Sequence, residues 1–171
     1  MPHRTVFCSL QVLFLLLCLA TLPATAQKPQ VKKINEQQLQ TILHSKTDTL
    51  HILNFWATWC KPCIKELPYF LQIAQENKNS NVKVILVSVD FPEDINTRLI
   101  PFLERRQLPQ PMLLIDPKND QWINDVSTEW SGAIPATIIF NKHRGIYYFI
   151  ERELSLQELQ KYVSLNKTTK P

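Results

Sequence analysis

The chain has 171 residues, of which 44% are hydrophobic, so it is long enough to bury a core without disulfide staples. Its net charge is +4, from 19 basic and 15 acidic side chains spread along the sequence. No basic cluster is interleaved with aromatic residues, which argues against a nucleic-acid partner. One domain with a short appendage is the simplest organisation at this length. Nothing in the sequence calls for more than a monomer.

The appendage is N-terminal. Arg4 precedes an apolar run over residues 6–20 that contains LFLLLCLA, with Gln11 its only strongly polar member. Ala24-Thr25-Ala26 then supplies a small-x-small site, so residues 1–26 read as a secretory signal peptide cut before Gln27. The run is shorter than the ~20 residues of a transmembrane helix; left uncleaved, it would tether the protein to a membrane. Cys18 does not read as a lipidation site, because Leu17 precedes it where a small residue is needed. Cleavage would leave residues 27–171 as the exported, periplasmic domain, with an ordered core over about 34–165. It would also remove Cys8 and Cys18, leaving Cys60 and Cys63 as the only cysteines, and lower the net charge to +3 by removing one arginine and no acid.

Residues 27–40 are polar and begin as a tail. A helix is expected over 35–43 with Asn35 as its cap, then a strand over 49–56 (TLHILNFW). Ile64, Leu67, Phe70, Leu71 and Ala74 keep helical spacing from Cys63 to about residue 77. Pro62 stands near the start of that helix, where its missing N–H costs little, and Pro68 inside it predicts a kink. Residues 82–89 (VKVILVSV) form a nearly continuous apolar strand, of the kind buried on both faces of a parallel sheet. A helix over 94–106 is interrupted by Pro101. Residues 112–115 form a short apolar edge element, and 119–129 a helix bearing Trp122. A strand over 134–140, a turn at 141–145 and a strand over 146–150 make a hairpin. Ser155 opens a final amphipathic helix, and 167–171 is a disordered tail. The order predicts an α/β fold: a mixed sheet with helices on both faces.

The pair Cys60-Lys61-Pro62-Cys63 sits at a strand-to-helix junction. A bridge between cysteines so close removes little unfolded-state entropy, so it would be a poor staple. As a redox couple the spacing works, because each sulfur stays within reach of the other. The helix N-terminus favours an anion, so Cys60 is the expected nucleophile and Cys63, one turn in, the resolving thiol. Lys61 adds a cation beside the thiolate. Glu66, three residues after Cys63 on the same helix side, could take the Cys63 proton. Trp59 is expected on the rim and Trp56 in the core. A cis bond at Ile134-Pro135 would set the backbone of residue 134 against the pair, but cis is the minority state of X-Pro bonds and the residues alone leave it open.

NFWATWCKPCIKELP, followed far downstream by SGAIPATIIF, resembles the thioredoxin superfamily, most of all its exported TlpA/ResA-like branch, over roughly residues 30–165. The resemblance implies a thioredoxin-like fold with a mid-chain insertion between about Asp90 and Glu129. It implies a nucleophilic Cys60, a resolving Cys63, and a Glu66 that tunes their pKa values. It also implies a cis Pro135 in a substrate groove whose other members would be Trp59, Lys61, Pro62 and Ile134. Asn54 stands where cytoplasmic thioredoxins carry a buried Asp, which points to the exported branch.

The expected function is an exported thiol–disulfide oxidoreductase that reduces protein disulfides, as in cytochrome c maturation or periplasmic thiol maintenance. Its partners would be protein disulfides or thiols and a membrane electron donor or acceptor. Beyond the redox-active disulfide, neither cofactor nor metal is expected. A disulfide oxidase or isomerase would use the same residues, the potential deciding the direction. A copper metallochaperone would need soft ligands around the metal, but the downstream histidine, His143, falls after the Pro135 strand. His44 and His51 also lack partners at ligand spacing. A peroxidase is disfavoured because no isolated cysteine precedes the pair in the mature chain.

Overall fold

Residues 29–108 and 111–169 are described by the computed structural model; the signal peptide expected over 1–26 lies outside them. Strand β1 (Val31–Ile34) leads through Asn35 into helix α1 (Glu36–Leu43). Asn35 caps α1 as expected: its side chain accepts the Gln38 N–H at 2.9 Å, and the Gln38 side chain accepts the Asn35 N–H at 3.1 Å. Strand β2 (Leu50–Trp56) is buried at every position. Helix α2 (Lys61–Glu76) continues through Pro68, with Cys60 as its N-cap and Pro62 in its first turn. Strand β3 (Val82–Ser88) follows.

The helix expected over 94–106 is divided. Residues 95–99 form a wide π-type turn, and helix α3 (Ile100–Arg106) begins just before Pro101. Pro101 is thus the second residue of α3, and the chain before it is helical too, in the wider register. Strand β4 (Met112–Ile115) and helix α4 (Gln121–Val126) come next, α4 shorter than expected but carrying Trp122. The hairpin of β5 (Ala136–Asn141) and β6 (Ile146–Ile150) turns through residues 142–144. Helix α5 (Leu156–Thr168) is capped by Ser155 and Glu158 in a reciprocal pair of hydrogen bonds. It includes Lys167 and Thr168, so the C-terminal tail expected from residue 167 is helical there; Lys170 and Pro171 lie outside the described residues.

The sheet has six strands in the order β1-β4-β3-β2-β5-β6. Its first four strands are parallel, and β5 and β6 are antiparallel to their neighbours. Two expectations are corrected here. Residues 31–34 are a strand and not part of a tail, and residues 112–115 are not an edge element. β4 lies between β1 and β3, pairing with β1 along its whole length, from Val31↔Met112 to Ile34↔Ile115. β1 takes the edge instead, with Lys32 and Lys33 exposed, as suits an edge strand that must resist pairing with another chain.

The strand period of two divides the core. From β2, Leu50, Ile52 and Trp56 join Leu67, Phe70 and Ile73 of α2, with Leu103 of α3 and Leu159 of α5. Leu53 and Phe55 face the other layer, with Leu39 of α1 and Trp122 and Val126 of α4. There Phe55 packs against Trp130 at 4.7 Å and Trp122 at 5.8 Å between ring centroids. Asn54 has the parity of the α2 layer, and this carries its amide toward the cysteine helix. Phe70 anchors α2 to the sheet and is fully buried. Phe70→Ala is expected to lower stability by about 3–5 kcal/mol, measured as a shift in the denaturant unfolding midpoint at constant slope.

Candidate active site

The first turn of α2 begins where β2 runs out. Cys60 and Cys63 are joined in a disulfide with Cα atoms 5.3 Å apart, and the Cys60 sulfur accepts the Cys63 N–H at 3.3 Å. That contact is an N-cap made by sulfur: an amide that the helix leaves unpaired points at the atom where a thiolate would develop. Cys60 keeps 5% of its surface exposed, Cys63 none. Of the two cysteines, only Cys60 shows any surface from which a partner could approach. Lys61 and Pro62 are both exposed beside it, and Trp59 on the preceding loop is 50% exposed. Trp56 is fully buried, as expected of a core residue.

Beneath the disulfide sits Glu66, with no exposed surface. The Asn54 amide donates to its Oε1 at 2.8 Å and to the Thr137 hydroxyl at 3.1 Å, while the Leu154 N–H donates to its Oε2 at 2.7 Å. Three segments thus meet at one carboxyl, α2, β2 and the link into α5, and β5 is joined to it through Asn54. Burial pushes the Glu66 carboxyl from an ordinary 4.5 up to about 7, against the pull of the Leu154 and Asn54 donors, and the nearby charge of Glu153 adds to the rise.

The loop carrying Trp59 is tied down from the opposite side. Asp90, 2% exposed, accepts the Thr58 N–H at 3.1 Å on each oxygen and the Thr58 hydroxyl at 2.6 Å. The Ser88 hydroxyl donates to the same carboxyl at 2.8 Å. Across the disulfide, the Ile134–Pro135 bond is cis, Pro135 is buried and Ile134 half-buried. The Ile134 carbonyl oxygen lies 3.7 Å from the Cys60 sulfur.

Every residue expected at the site is thereby in one region: Trp59, Cys60, Lys61, Pro62 and Cys63 along the loop and first turn, Glu66 below, and Ile134 and Pro135 opposite. Asp90, Thr137 and Leu154 escape a reading of the sequence. Each acts through a segment distant in sequence, and no local spacing signals that. Among the described residues, no three His, Cys, Asp or Glu side chains are grouped to hold a metal ion. Among the same residues, no helix is long and apolar enough to cross a membrane.

A family model described as "AhpC/TSA family" matches residues 22–149. The chain belongs to the AhpC/TSA family. The domain is similar to curated proteins named thiol-disulfide oxidoreductase ResA. With that of Geobacillus kaustophilus it shares 30% identity over 111 residues, which is 65% of this chain and 59% of the relative. With that of Oceanobacillus iheyensis it shares 30% over 137 residues, 79% of this chain and 67% of the relative. This chain thus spans about three-fifths of the length of the relatives it matches first. Among solved structures, the AhpC/TSA domain resembles a thioredoxin-related protein of Neisseria meningitidis serogroup B, with a TM-score of 0.60 at 24% identity over 74% of this chain and 90% of the other. It also resembles a thiol:disulfide interchange protein of the thioredoxin family from Chlorobium tepidum, with a TM-score of 0.59 at 18% identity over 70% and 80%. Those likenesses establish the thioredoxin-like fold.

The Glu66 carboxyl makes stability depend on pH with a defined sign. The folded protein holds its proton to about pH 7, whereas the unfolded chain releases it near 4.5. Its contribution is therefore complete below pH 4.5 and is lost as pH rises through about 7. For the disulfide form, the stability of Glu66→Gln relative to the parent is expected to rise by about 2–3 kcal/mol as pH rises across that window. His51, which burial holds below its ordinary 6.5, acts in the opposite sense in both proteins, so their difference isolates Glu66. Denaturant unfolding from about pH 4 to 8 reads it; a pH-independent difference would contradict the raised pKa.

Proposed function

We propose that this chain is an exported thiol–disulfide oxidoreductase whose reduced Cys60–Cys63 pair reduces disulfides in partner proteins. The observation that carries the reading is the asymmetry of the pair. Cys60 caps α2 and keeps 5% of its surface exposed, while Cys63, within the first turn, keeps none. The ResA relatives' name as thiol-disulfide oxidoreductases supports the same chemistry.

In the proposed cycle the Cys60 thiolate, favoured by the helix N-terminus, attacks one sulfur of the partner disulfide. The other partner sulfur leaves as a thiolate and takes up a proton. A mixed disulfide now joins Cys60 to the partner. Cys63 gives its proton to Glu66, and its thiolate attacks the Cys60 sulfur. The partner's second sulfur leaves, and the Cys60–Cys63 disulfide remains. Two electrons have passed from the pair to the partner, and a membrane electron donor returns them. Trp59, Lys61, Pro62, Ile134 and Pro135 line the groove that receives the partner's chain.

Residues 1–26 act as the signal and 27–171 as the working domain in the periplasm, held at the membrane if the signal is retained. Within that compartment the reducing direction suits cytochrome c maturation or general thiol maintenance. The disulfide itself serves as the redox group, with no other cofactor in the cycle.

The direction is tested by the potential of the pair in residues 27–171, equilibrated against defined thiol buffers. A reductant is expected near the thioredoxin value of about −270 mV or slightly above it, whereas about −120 mV would mark an oxidant. The roles of the two sulfurs are tested by trapping. Cys63→Ser is expected to accumulate a mixed disulfide with a protein substrate on a non-reducing gel, and Cys60→Ser to form none. Equal trapping by both variants would refute the assignment.

A further inference from the structure

Residues 131–133, which lead into Ile134, lie at the surface. Ser131, Gly132 and Ala133 are all exposed, so apolar packing does not fix them. Gly132 has φ +91°, a conformation that other residues rarely adopt. Polar contacts hold the turn instead. The Trp130 indole N–H donates to the Ala133 carbonyl at 2.8 Å, and the Ala133 N–H approaches the Ser131 hydroxyl at 3.4 Å. The remaining ties converge on Glu151, just beyond the end of β6. Its Oε1 accepts the Ser131 N–H at 3.2 Å, the Ala133 N–H at 3.1 Å and the Ser131 hydroxyl, and its Oε2 accepts the Ser131 N–H at 3.3 Å.

Glu151 opens a run of three charged residues, and the other two are engaged elsewhere. Arg152 bonds Glu158 at 2.8 Å in the first turn of α5, and Glu153 pairs with Lys65 of α2 at 2.6 Å. Next in the chain, the Leu154 N–H meets Glu66. The segment 151–154 therefore buckles the turn before Ile134 to the cysteine helix and to α5. Donors from Ser131 also hold the Glu151 carboxyl below the usual carboxylate range, so it is an anion at neutral pH, and hydrogen bonds to charged groups are the stronger kind.

We propose that Glu151 is a positioning residue for partner binding: by clamping Ser131 and Ala133 it fixes the Ile134 backbone beside Cys60, where an extended peptide segment of a disulfide substrate docks. The inference rests on the oxidoreductase reading above. It follows that Glu151 matters for disulfides carried on a peptide backbone and not for small disulfides, which have no backbone to dock.

Two probes with the same leaving group separate those cases. One is a linear peptide whose single cysteine is linked to thionitrobenzoate; the other is the symmetrical disulfide of thionitrobenzoate. In each, the Cys60 thiolate attacks one sulfur (that of the peptide cysteine in the first probe), a thionitrobenzoate anion leaves, and Cys63 then closes the Cys60–Cys63 disulfide, expelling the peptide thiol from the first probe and a second thionitrobenzoate from the other. With the reduced protein, Glu151→Ala is expected to slow reaction with the peptide probe by roughly tenfold, as an apparent loss of affinity, since several hydrogen bonds to a charged group are removed. Its reaction with the small probe and the potential of the pair should stay within about twofold of the parent, well inside what one hydrogen bond is worth. Glu151→Gln keeps an acceptor and should fall between. Ser131→Ala, which leaves the carboxylate in place, gives a milder loss with the same selectivity and serves if Glu151→Ala does not fold. Equal losses on both probes, or none on either, would overturn the role of Glu151. A parent protein that reacts with neither probe would instead overturn the oxidoreductase reading.

Discussion

A carboxyl with no exposed surface has to find its hydrogen bonds inside the protein, and at Glu66 that requirement organises everything around the cysteines. The carboxyl is carried by α2, but its partners come from β2 and from the link into α5, with β5 joined through Asn54. Those segments are far apart in sequence: Leu154 follows Glu66 by 88 residues. Moving any of them breaks a buried bond, and an unsatisfied buried group costs about 1–3 kcal/mol. The depth of α2 against the sheet, the entry into α5 and the alignment of β2 with β5 are thus tied to one another. Cys63, three residues before Glu66 on the same face, inherits that fixity.

Two further carboxylates do for the rim what Glu66 does for the interior. Asp90 holds the loop that presents Trp59, and Glu151 holds the turn that presents Ile134. Both walls stand on loops, yet each is tied by a carboxylate at the end of a strand. This is how short connecting segments can give a defined surface around a reactive sulfur. The central strand β2 delivers the loop of Thr58 to its place, because it is paired on both sides along nearly its whole length.

How much of this could be read from the chain follows from what burial does to a sequence. β2 and β3 were legible because a strand covered on both faces becomes a continuous apolar run, and α2 because one apolar stripe faces the sheet. The pair Cys60–Cys63, Glu66 and Pro135 were legible because the motifs that carry them are short and closely spaced. β1 was not: two of its four residues are exposed lysines, as befits an edge, and such a segment has the composition of a tail. β4 was read as an edge because four apolar residues beside prolines look alike at the margin of a sheet and within it. Its place between β1 and β3 depends on pairing with residues some eighty positions away, and nothing local records that. Asp90 and Glu151 were missed for the same reason: an acidic residue after a strand looks like any solvated one until the loop it binds is in view.

The burial that costs stability at Glu66 is also what would make it useful. In the proposed reaction Glu66 must accept a proton from a buried thiol. An ordinary glutamate at 4.5 stands some four units below a thiol at about 8.5, a transfer uphill by roughly 5–6 kcal/mol. With the carboxyl raised to about 7, the gap narrows to roughly 1.5 units, or about 2 kcal/mol. An anion on Glu66 and Cys63 at once would be disfavoured by their mutual repulsion. In the proposed cycle one proton shared between the two would avoid that state: it would lie on Glu66 when Cys63 attacks and on Cys63 when the pair rests reduced. The Asn54 and Leu154 donors limit how far the carboxyl can rise, so the segments joined at Glu66 would set the strength of the base as well as its position.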